Sequence, residues 1–313
     1  MKALVTGAAG FIGSRICGAL LEGGLGPVST IVAVDTTAQR VTDSRVDVRL
    51  GTITDTAFVS SLFDGDVDVI FHLAAVLSGQ AEAEFDVGMQ VNVDGTRNML
   101  EACRQLSDVP RFVFSSTVAV YGGSLPPIVP EDAPLLPETS YGAAKAIAEI
   151  FVSEYSRRGF VDGVSCRVPT VAVRPGAPNS ALSSFVSGII REPIAGIDTL
   201  CPVPVDTPLW ISSPDVLTRN LLHAARFPTS SLAGNRRVNL PGITATPTEM
   251  LDSLERLAGA AARARVCCEI DPYVTRVVRG WPGAFDVSRA LSLGFAADPD
   301  IDSIVGQFIA ASR

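Results

Sequence analysis

The sequence predicts an α/β fold, with a doubly wound parallel sheet in the first half of the chain and a smaller, irregular lobe in the second. Short β-branched runs alternate with amphipathic helical stretches as far as about residue 170. Such alternation gives right-handed crossovers and a parallel sheet that helices cover on both faces. Beyond that point Pro, Gly and Ser become dense and the strands become short. We therefore expect two partly interleaved domains, 1–170 and 171–313.

The individual elements follow from their apolar periodicity and from the residues that end them. Strands are predicted at Lys2–Thr6, Thr30–Asp35, Val69–Ala74, Arg111–Ser115 and Val164–Val168. Helices are predicted at Phe11–Leu21, Glu82–Gln105, Asp215–Phe227 and Thr248–Ala258, and from Ser140, the expected N-cap, to about Ser156. Although the N-terminal stretch is apolar, its glycine spacing and Arg15 favour a strand, a turn and a helix over a signal peptide.

The composition restricts the class of protein. The chain has 313 residues, of which 47% are hydrophobic and 19% charged, so it can bury a substantial core. Its net charge of −8 argues against a nucleic acid or an anionic membrane as partner. The six cysteines are scattered, and no His, Cys or acidic residues have metal-ligand spacing. We expect reduced thiols, no metal, no membrane span and a cytoplasmic location.

Three glycines occupy the junction between the first strand and the first helix. Gly7 and Gly10 allow a tight turn and a close approach of the backbone to a pyrophosphate, and Gly13 allows the helix to pack on the strand. Phe11 and Ile12 open this helix, where free N–H groups attract an anion. The arrangement predicts a phosphate cradle of the Rossmann type.

An acidic residue follows the glycines at the expected distance. Asp35 ends the second predicted strand, 22 positions after Gly13. A carboxylate there accepts hydrogen bonds from ribose hydroxyls and repels a 2′-phosphate, which favours NAD over NADP. Arg40 lies nearby, so NADP stays open, and Asp35 has the alternative role of capping a turn.

A tyrosine and a lysine share one face of the helix that follows the Pro-rich loop. Tyr141 and Lys145 are four residues apart, so they lie one turn from each other. A phenol is a weak base at neutral pH, but a neighbouring ammonium favours the phenolate, which then takes a hydroxyl proton as hydride leaves the same carbon. Chance alone also produces this spacing, and its position after the glycine turn favours the catalytic interpretation.

The Gly-x-x-Gly-x-x-Gly turn and the Tyr-x-x-x-Lys pair resemble the extended short-chain dehydrogenase/reductase superfamily, of the NAD-dependent epimerase/dehydratase type. This resemblance spans nearly the whole chain and implies that Thr117, at the end of a central strand, orients the substrate oxygen. Ser115 and Ser116 are rivals for that role, because sequence does not rank three adjacent hydroxyls. Such a cluster also commonly caps backbone groups.

The same resemblance implies further contacts with the cofactor. Besides the glycine turn, Asp35 and the catalytic pair, the expected cofactor residues are Thr52, Ile53, Leu73, Ala74, Ala75, Asn92, Ser115 and Val168. Thr52 departs from the pattern, because relatives often carry an acid there near the adenine. His72 is interpreted as a structural residue and not as a general base.

Substrate residues are harder to assign. Arg174 follows the last strand of the predicted sheet and suits a bidentate bond to a carboxylate, although a salt bridge is an equal alternative. Ser183 begins a Ser-rich run that suits either polyol oxygens or an ordinary helix start. The resemblance adds Ser78 and Asn179 to the expected substrate contacts, together with Thr117 and Tyr141.

Five segments narrow the resemblance further. The segments 141–149, 155–160, 167–176, 183–193 and 281–286 are similar to a family of sugar-acid dehydrogenases that act on D-erythronate. The resemblance implies NAD-dependent oxidation of the C2 hydroxyl of a short, anionic sugar acid to a 2-oxo acid. It also implies a homodimer, formed by pairing the helices at 82–105 and 140–156.

Two other interpretations stay open. A nucleotide-sugar epimerase or dehydratase, or a uronate dehydrogenase, shares the same motifs, but aromatic residues make up only 6% of the chain and no Arg and aromatic cluster suits a nucleoside diphosphate. A regulator that senses a dinucleotide would keep the glycine turn and lose the catalytic pair, whereas Tyr141 and Lys145 are both present.

Overall fold

The computed structural model describes residues 1–38, 42–177, 181–232 and 234–312. The strands are β1 Lys2–Thr6, β2 Thr30–Asp35, β3 Val46–Leu50, β4 Val69–His72, β5 Arg111–Thr117, β6 Asp162–Val168, β7 Thr170–Val171, β8 Thr199–Cys201, β9 Leu209–Ser212, β10 Arg237–Asn239, β11 Ile243–Ala245 and β12 Val266–Cys268. The helices are α1 Phe11–Leu21, α2 Thr56–Ser61, α3 Ser78–Ala83, α4 Phe85–Met89, α5 Thr96–Cys103, α6 Ser140–Arg157, α7 Ser184–Ile194, α8 Pro214–Ala224, α9 Pro247–Ala258, α10 Ala260–Arg263, α11 Pro272–Arg279, α12 Ser288–Ser292 and α13 Ile301–Ala311.

The chain forms two compact units. The first unit comprises 1–120, 139–167 and 218–238, and the second comprises 121–138, 168–217 and 239–313. The principal exchange between them, after Arg167, lies close to the boundary expected at residue 170. Local composition does not predict that 218–238 returns to the first unit. This return depends on the pairing of β10 with β6, which lies far from it in sequence.

The first unit contains a seven-stranded sheet of order β10-β6-β5-β4-β1-β2-β3. Its central strands pair in parallel, with β1 between β2 and β4. The order reverses at β1 and β4, which is the switch point where open α/β sheets bind ligands. The α/β prediction is therefore confirmed. Strands such as Leu4–Thr6 and Ile70–His72 are wholly buried and read as continuous apolar runs because helices cover both faces.

The second unit contains short strands and amphipathic helices. A three-stranded sheet runs β11-β9-β7, and β12 pairs in parallel with β8. Helices α7, α9 and α13 bury apolar side chains in one core, including Ile189, Leu254 and Ile304. Helix α9 begins where it does because Thr246, which precedes Pro247, forms a reciprocal capping box with Glu249 in the first turn. Within the described residues, no helix is long and apolar enough to cross a membrane.

Several predicted bounds agree with the structure, and two predictions are wrong. β1, α1 and β2 have the predicted bounds. The single helix expected at 82–105 is instead broken at Glu84, which has φ −126° and ψ 70°, and contains a π-helical turn over Gln90–Gly95. The N-cap of α6 is Thr139 rather than Ser140, because the Thr139 side chain accepts a hydrogen bond from the Gly142 amide.

Candidate active site

The glycine turn forms a cradle that side chains would fill. Gly7 has a φ of +71°, and a Cβ there would lie 2.8 Å from the Ala74 nitrogen. A Cβ on Gly13 would lie 2.1 Å from the Gly7 carbonyl oxygen. The N-cap of α1 is Gly10, whose extended backbone carries no side-chain cap. The helix start thus presents backbone N–H groups within a tight turn, which fits the pyrophosphate of a dinucleotide.

Asp35 lies directly against this turn. Its Oδ2 accepts a hydrogen bond from the Ala9 amide at 2.9 Å, and its Oδ1 accepts one from Thr37 at 3.0 Å. The next strand arrives at the same edge, since the Gly51 amide donates to the Asp35 carbonyl. Thr52 and Ile53, which follow Gly51, therefore lie close to Asp35 in the fold. Arg40, the residue that kept NADP open, lies outside the described residues.

A buried hydrogen-bond chain fixes the loop after β4, where Leu73, Ala74 and Ala75 lie. His72 Nδ1 is 2.8 Å from Thr6 Oγ1, and His72 Nε2 is 2.9 Å from Thr96 Oγ1. Because the Thr96 hydroxyl donates its proton to the Asn92 carbonyl, Nε2 must be the donor and Nδ1 the acceptor. The Thr6 oxygen also accepts from the Leu73 and Ala74 amides.

This chain keeps His72 uncharged. Complete burial, together with the smaller effect of the Lys145 charge, lowers the pKa of His72 to about 3. The interpretation of His72 as structural agrees with these contacts. Asn92, expected near the cofactor, holds the same loop, because its side chain accepts from the Val76 amide and donates to the Val76 carbonyl. These bonds also explain the π-helical turn, which apolar periodicity does not reveal.

The three hydroxyls at the end of β5 have different roles. Ser116 is buried, and its hydroxyl donates its proton to Glu149 Oε1 at 2.5 Å. Ser115 offers its carbonyl oxygen, which accepts from Lys145 Nζ at 2.8 Å. Thr117 Oγ1 accepts from the Ala119 amide and keeps its own proton to donate. The structure therefore favours Thr117 over Ser116.

Helix α6 brings Tyr141 and Lys145 together at the same strand end. Lys145 Nζ lies 5.8 Å from the centre of the Tyr141 ring and 4.7 Å from that of Phe114. Burial lowers the pKa of Lys145 to about 7, and the charge of Glu149 opposes this shift. An ammonium held here is therefore costly and depends on its neighbours.

The expected lowering of the Tyr141 pKa is not seen in this arrangement. Burial of the phenol raises the pKa of Tyr141 to about 12. The Lys145 ammonium bonds the Ser115 carbonyl and not the phenol oxygen, so desolvation outweighs attraction. A Tyr141 base therefore requires the ammonium to move closer to the phenol before the proton is taken.

The expected substrate residues fall in both units. In the first unit, Ser78 begins α3. In the second, Ser183 occupies the N-cap position of α7 without a side-chain cap bond, and Val168, which is expected to contact the cofactor, ends β6. Asn179 lies outside the described residues. The structure assigns none of these to a substrate, so their roles stay predictions.

Arg174 belongs to a basic cluster in the second unit that the sequence did not reveal. The Arg174 amide donates to Ser187 Oγ at 3.0 Å, and Arg191 donates to the Arg174 carbonyl at 2.8 Å. Arg191 also pairs with Glu192 at 2.5 Å. Burial and the charge of Arg191 both lower the pKa of Arg174. Arg174 and Arg191 are 17 positions apart, and local spacing does not predict such a contact.

Comparisons with known proteins identify the family of this chain. The model of the NAD-dependent epimerase/dehydratase family matches residues 3–200. A D-erythronate dehydrogenase of Cupriavidus necator is 46% identical over 99% of this chain and 98% of its own length. A D-erythronate dehydrogenase of Haemophilus influenzae is 38% identical, with 99% of both chains covered.

Two solved structures show the same fold. A structure described as a nucleoside-diphosphate-sugar epimerase from Agrobacterium tumefaciens has a TM-score of 0.94 and 36% identity, and the match covers 99% of this chain and 94% of that one. A GalE-like L-threonine dehydrogenase from Cupriavidus necator has a TM-score of 0.89 at 22% identity over the whole of both chains, a likeness of fold alone.

Proposed function

We propose that this chain, which belongs to the NAD-dependent epimerase/dehydratase family, oxidises the C2 hydroxyl of D-erythronate to a 2-oxo-tetronate. The observation that carries the proposal is the placement of Tyr141, Lys145 and Thr117 at one strand end beside a glycine cradle. Enzymes named D-erythronate dehydrogenase match the chain over nearly its whole length.

The residues of the first unit fit NAD as cofactor. Gly7, Gly10 and Gly13 would hold the pyrophosphate, and the Asp35 carboxylate would accept hydrogen bonds from the adenosine ribose. When bound, NAD supplies the acceptor for the hydride that leaves C2. The Leu73–Ala75 loop, Asn92, Thr52, Ile53, Ser115 and Val168 complete the proposed set of cofactor residues.

Proton transfer is assigned to Tyr141. The phenolate oxygen takes the proton of the C2 hydroxyl, and Thr117 donates a hydrogen bond to the same substrate oxygen. Lys145 lies one turn away on a flexible side chain, so a change of rotamer brings its ammonium toward the phenol. The approach of that positive charge lowers the Tyr141 pKa from the high value that burial gives.

Substrate binding is assigned to a smaller group of polar residues. We propose that the Arg174 guanidinium binds the carboxylate through two parallel N–H bonds. Ser78, Ser183 and Asn179 are proposed to bind the remaining hydroxyls. The support for Arg174 is its partial burial in a basic cluster, which attracts an anionic substrate to a protein whose net charge is −8.

A second candidate is a nucleotide-sugar epimerase. It is favoured by the likeness, at 36% identity, to the structure described under that activity. Epimerisation would use the same Tyr141 and Lys145 but return the hydride to the sugar, so no reduced dinucleotide would accumulate. The low aromatic content, 6%, argues against a site for a nucleobase.

We also propose a cytoplasmic homodimer. Large apolar side chains are exposed on α4 and α6, including Phe85 at 56% and Ile150 at 61%, which suits burial against a second copy. All six cysteines are free thiols, as expected in a reducing compartment. Sedimentation of the purified protein tests the dimer, which a Phe85→Glu and Ile150→Glu double variant should convert to monomer.

The proposed reaction is tested by following NAD reduction with a panel of substrates. The panel contains D-erythronate, other short aldonates, hexuronates, L-threonine and nucleotide sugars. We expect the highest kcat/KM with D-erythronate and little reduction of NADP. Turnover of nucleotide sugars alone, without net NAD reduction, would replace the proposal with the epimerase.

A further inference from the structure

We infer that Glu149 is a positioning residue for the reaction, because its carboxylate, clamped by Arg167 and Ser116, holds Lys145 in its charged form beside Tyr141. The inference rests on the proposed function and adds a residue that motif reading alone did not single out. Glu149 follows Lys145 by four positions on α6, as Lys145 follows Tyr141. The three side chains therefore occupy one face over two turns of the helix.

The clamp consists of the hydrogen bonds that Arg167 and Ser116 donate to the buried Glu149 carboxylate. Arg167 Nε donates to Glu149 Oε1 at 2.9 Å, and Arg167 Nη2 donates to Oε2 at 2.7 Å. Both side chains have no exposed surface. The Ser116 hydroxyl adds a third hydrogen bond to Oε1. Three hydrogen bonds, two of them from a guanidinium, therefore fix both oxygens of the Glu149 carboxylate in the interior.

The position of this carboxylate matters because Lys145 is itself buried, with 2% of its surface exposed. Burial disfavours its ammonium, and the charge of Glu149 is the effect that raises its pKa again. The buried charged and titratable groups on the elements around it, besides Glu149, include Tyr141 on α6, His72 on β4, and Cys166 and Arg167 on β6. Of these, Tyr141, His72 and Cys166 are neutral, since burial shifts each pKa toward the uncharged form.

The hydrogen bond from Ser116 to Glu149 also fixes the end of β5. Ser116, which Glu149 holds, lies between Ser115 and Thr117. The Ser115 carbonyl receives the Lys145 ammonium, and Thr117 is the proposed substrate hydroxyl. Buried ion pairs can often be replaced by apolar residues without loss of stability. Stability alone therefore does not explain why a charged pair lies at this position. The position beside Lys145 instead links the pair to the charge of the catalytic helix.

The expected effect has a definite sign. Without the Glu149 charge, burial alone acts on the Lys145 ammonium, so Lys145 loses its proton at lower pH. A neutral amine does not stabilise the Tyr141 phenolate, so the phenolate then forms only at higher pH. The limb of kcat that rises with pH should therefore move to higher pH, with KM for NAD less affected than kcat.

The charge of Lys145 is directly measurable, because Lys2 and Lys145 are the only lysines in the sequence. Lysine labelled with ¹³C at the ε carbon gives two NMR signals, whose shifts report protonation. Lys2, paired with Asp64 on the surface, serves as internal reference. In the full chain we expect the Lys145 midpoint near the value of about 7. In Glu149→Gln it should fall by about one pH unit, which is a tenfold change in the protonation equilibrium.

A matched control separates the effect of losing the clamp from the effect of replacing any glutamate on this helix by glutamine. Glu154 lies on the same helix, is exposed and pairs with Arg157. Glu154→Gln should leave both the Lys145 midpoint and the pH profile of kcat at their original values. Glu149→Gln should lower kcat at neutral pH by about tenfold and shift its rising limb upward by about one pH unit.

A second variant keeps the inference testable if Glu149→Gln does not fold. Leaving Arg167 buried without a charged partner is destabilising, so Glu149→Gln is also combined with Arg167→Met, which removes both charges. The double variant should still show a lower Lys145 midpoint than the original protein. Unchanged midpoints in the folded variants would overturn the inference, even if the original protein oxidises D-erythronate. Absence of turnover in the original protein would instead defeat the proposed function and leave the NMR result to decide the role of Glu149.

Discussion

The catalytic helix of the first unit and the Arg174 cluster of the second unit hold functional side chains in different ways. On α6, Tyr141, Lys145 and Glu149 repeat every four residues and face buried strand ends. In the second unit, Arg174 lies outside regular structure and depends on Ser187 and Arg191 of a later helix. The difference shows that the proposed proton chemistry lies on a regular element, whereas the proposed carboxylate contact lies on irregular backbone.

The largest expected effect comes from removing the phenol hydroxyl on α6. Tyr141→Phe should lower kcat for D-erythronate by about a thousandfold, because general base catalysis contributes on that order. The melting temperature and the affinity for NAD should stay close to those of the original protein. Initial rates of NAD reduction with a parallel thermal melt measure both. Retention of most activity would show that the helix does not carry the proton chemistry.

The next effect concerns the cradle of the first unit. Gly13→Ala places a methyl group 2.1 Å from the Gly7 carbonyl oxygen, so the turn must distort. We expect NAD affinity to weaken about a hundredfold or more, which corresponds to about 3 kcal/mol. Gly18→Ala in the same helix is the matched control, because nothing lies within 4 Å of the added Cβ. Calorimetric titration with NAD measures both variants, and equal affinities would disprove the cradle.

A smaller and more selective effect is expected in the second unit. Arg174→Lys keeps the charge but loses the planar pair of donors, so KM for the sugar acid should rise about tenfold. KM for NAD should not change. Arg276→Lys, an exposed position in the same unit, is the control. If Arg174→Lys raises KM for NAD instead, Arg174 does not belong to substrate binding and the proposed division between the two units fails.

The smallest effect on activity concerns His72. Its pKa in the folded protein, about 3, lies below that of an exposed histidine, so the unfolded chain binds the extra proton first. The free energy of unfolding should therefore fall as pH drops from about 6.5 toward 3, by at most about 1.4 kcal/mol per pH unit from this group. Urea unfolding at pH 7 and 5 should show a weaker pH dependence in His72→Asn. Equal pH dependence would contradict the assignment of a neutral, buried His72.

The same comparison explains what the sequence predicts. Gly7, Gly13 and Asp35 act through backbone conformation and short spacings, and Tyr141 and Lys145 share one helical turn, so their roles follow from local pattern. The Ser116 to Glu149 bond and the Arg191 to Arg174 bond join residues 33 and 17 positions apart. A local sequence pattern does not predict such pairs, because which residues meet depends on which strand and helix the fold brings together.

The break in the predicted 82–105 helix has a similar cause. Asn92 bonds both backbone groups of Val76, and this long-range contact fixes the π-helical turn. The N-cap of α6 differs from the prediction by one residue, because Thr139 and Ser140 are adjacent and both residue types suit an N-cap. Spacing shows that Lys145 lies near Tyr141 but not where its ammonium points, so it does not reveal that burial raises the Tyr141 pKa in this arrangement.

The most direct test of the account is to follow deuterium from C2 of labelled D-erythronate. The account predicts that the deuterium appears in the reduced dinucleotide, detected by mass spectrometry, with a 2-oxo acid as the other product. It also predicts that Tyr141→Phe nearly abolishes this transfer. Deuterium that stays on the sugar acid, or a reduced dinucleotide that carries none, would contradict the claim that this enzyme oxidises the C2 hydroxyl.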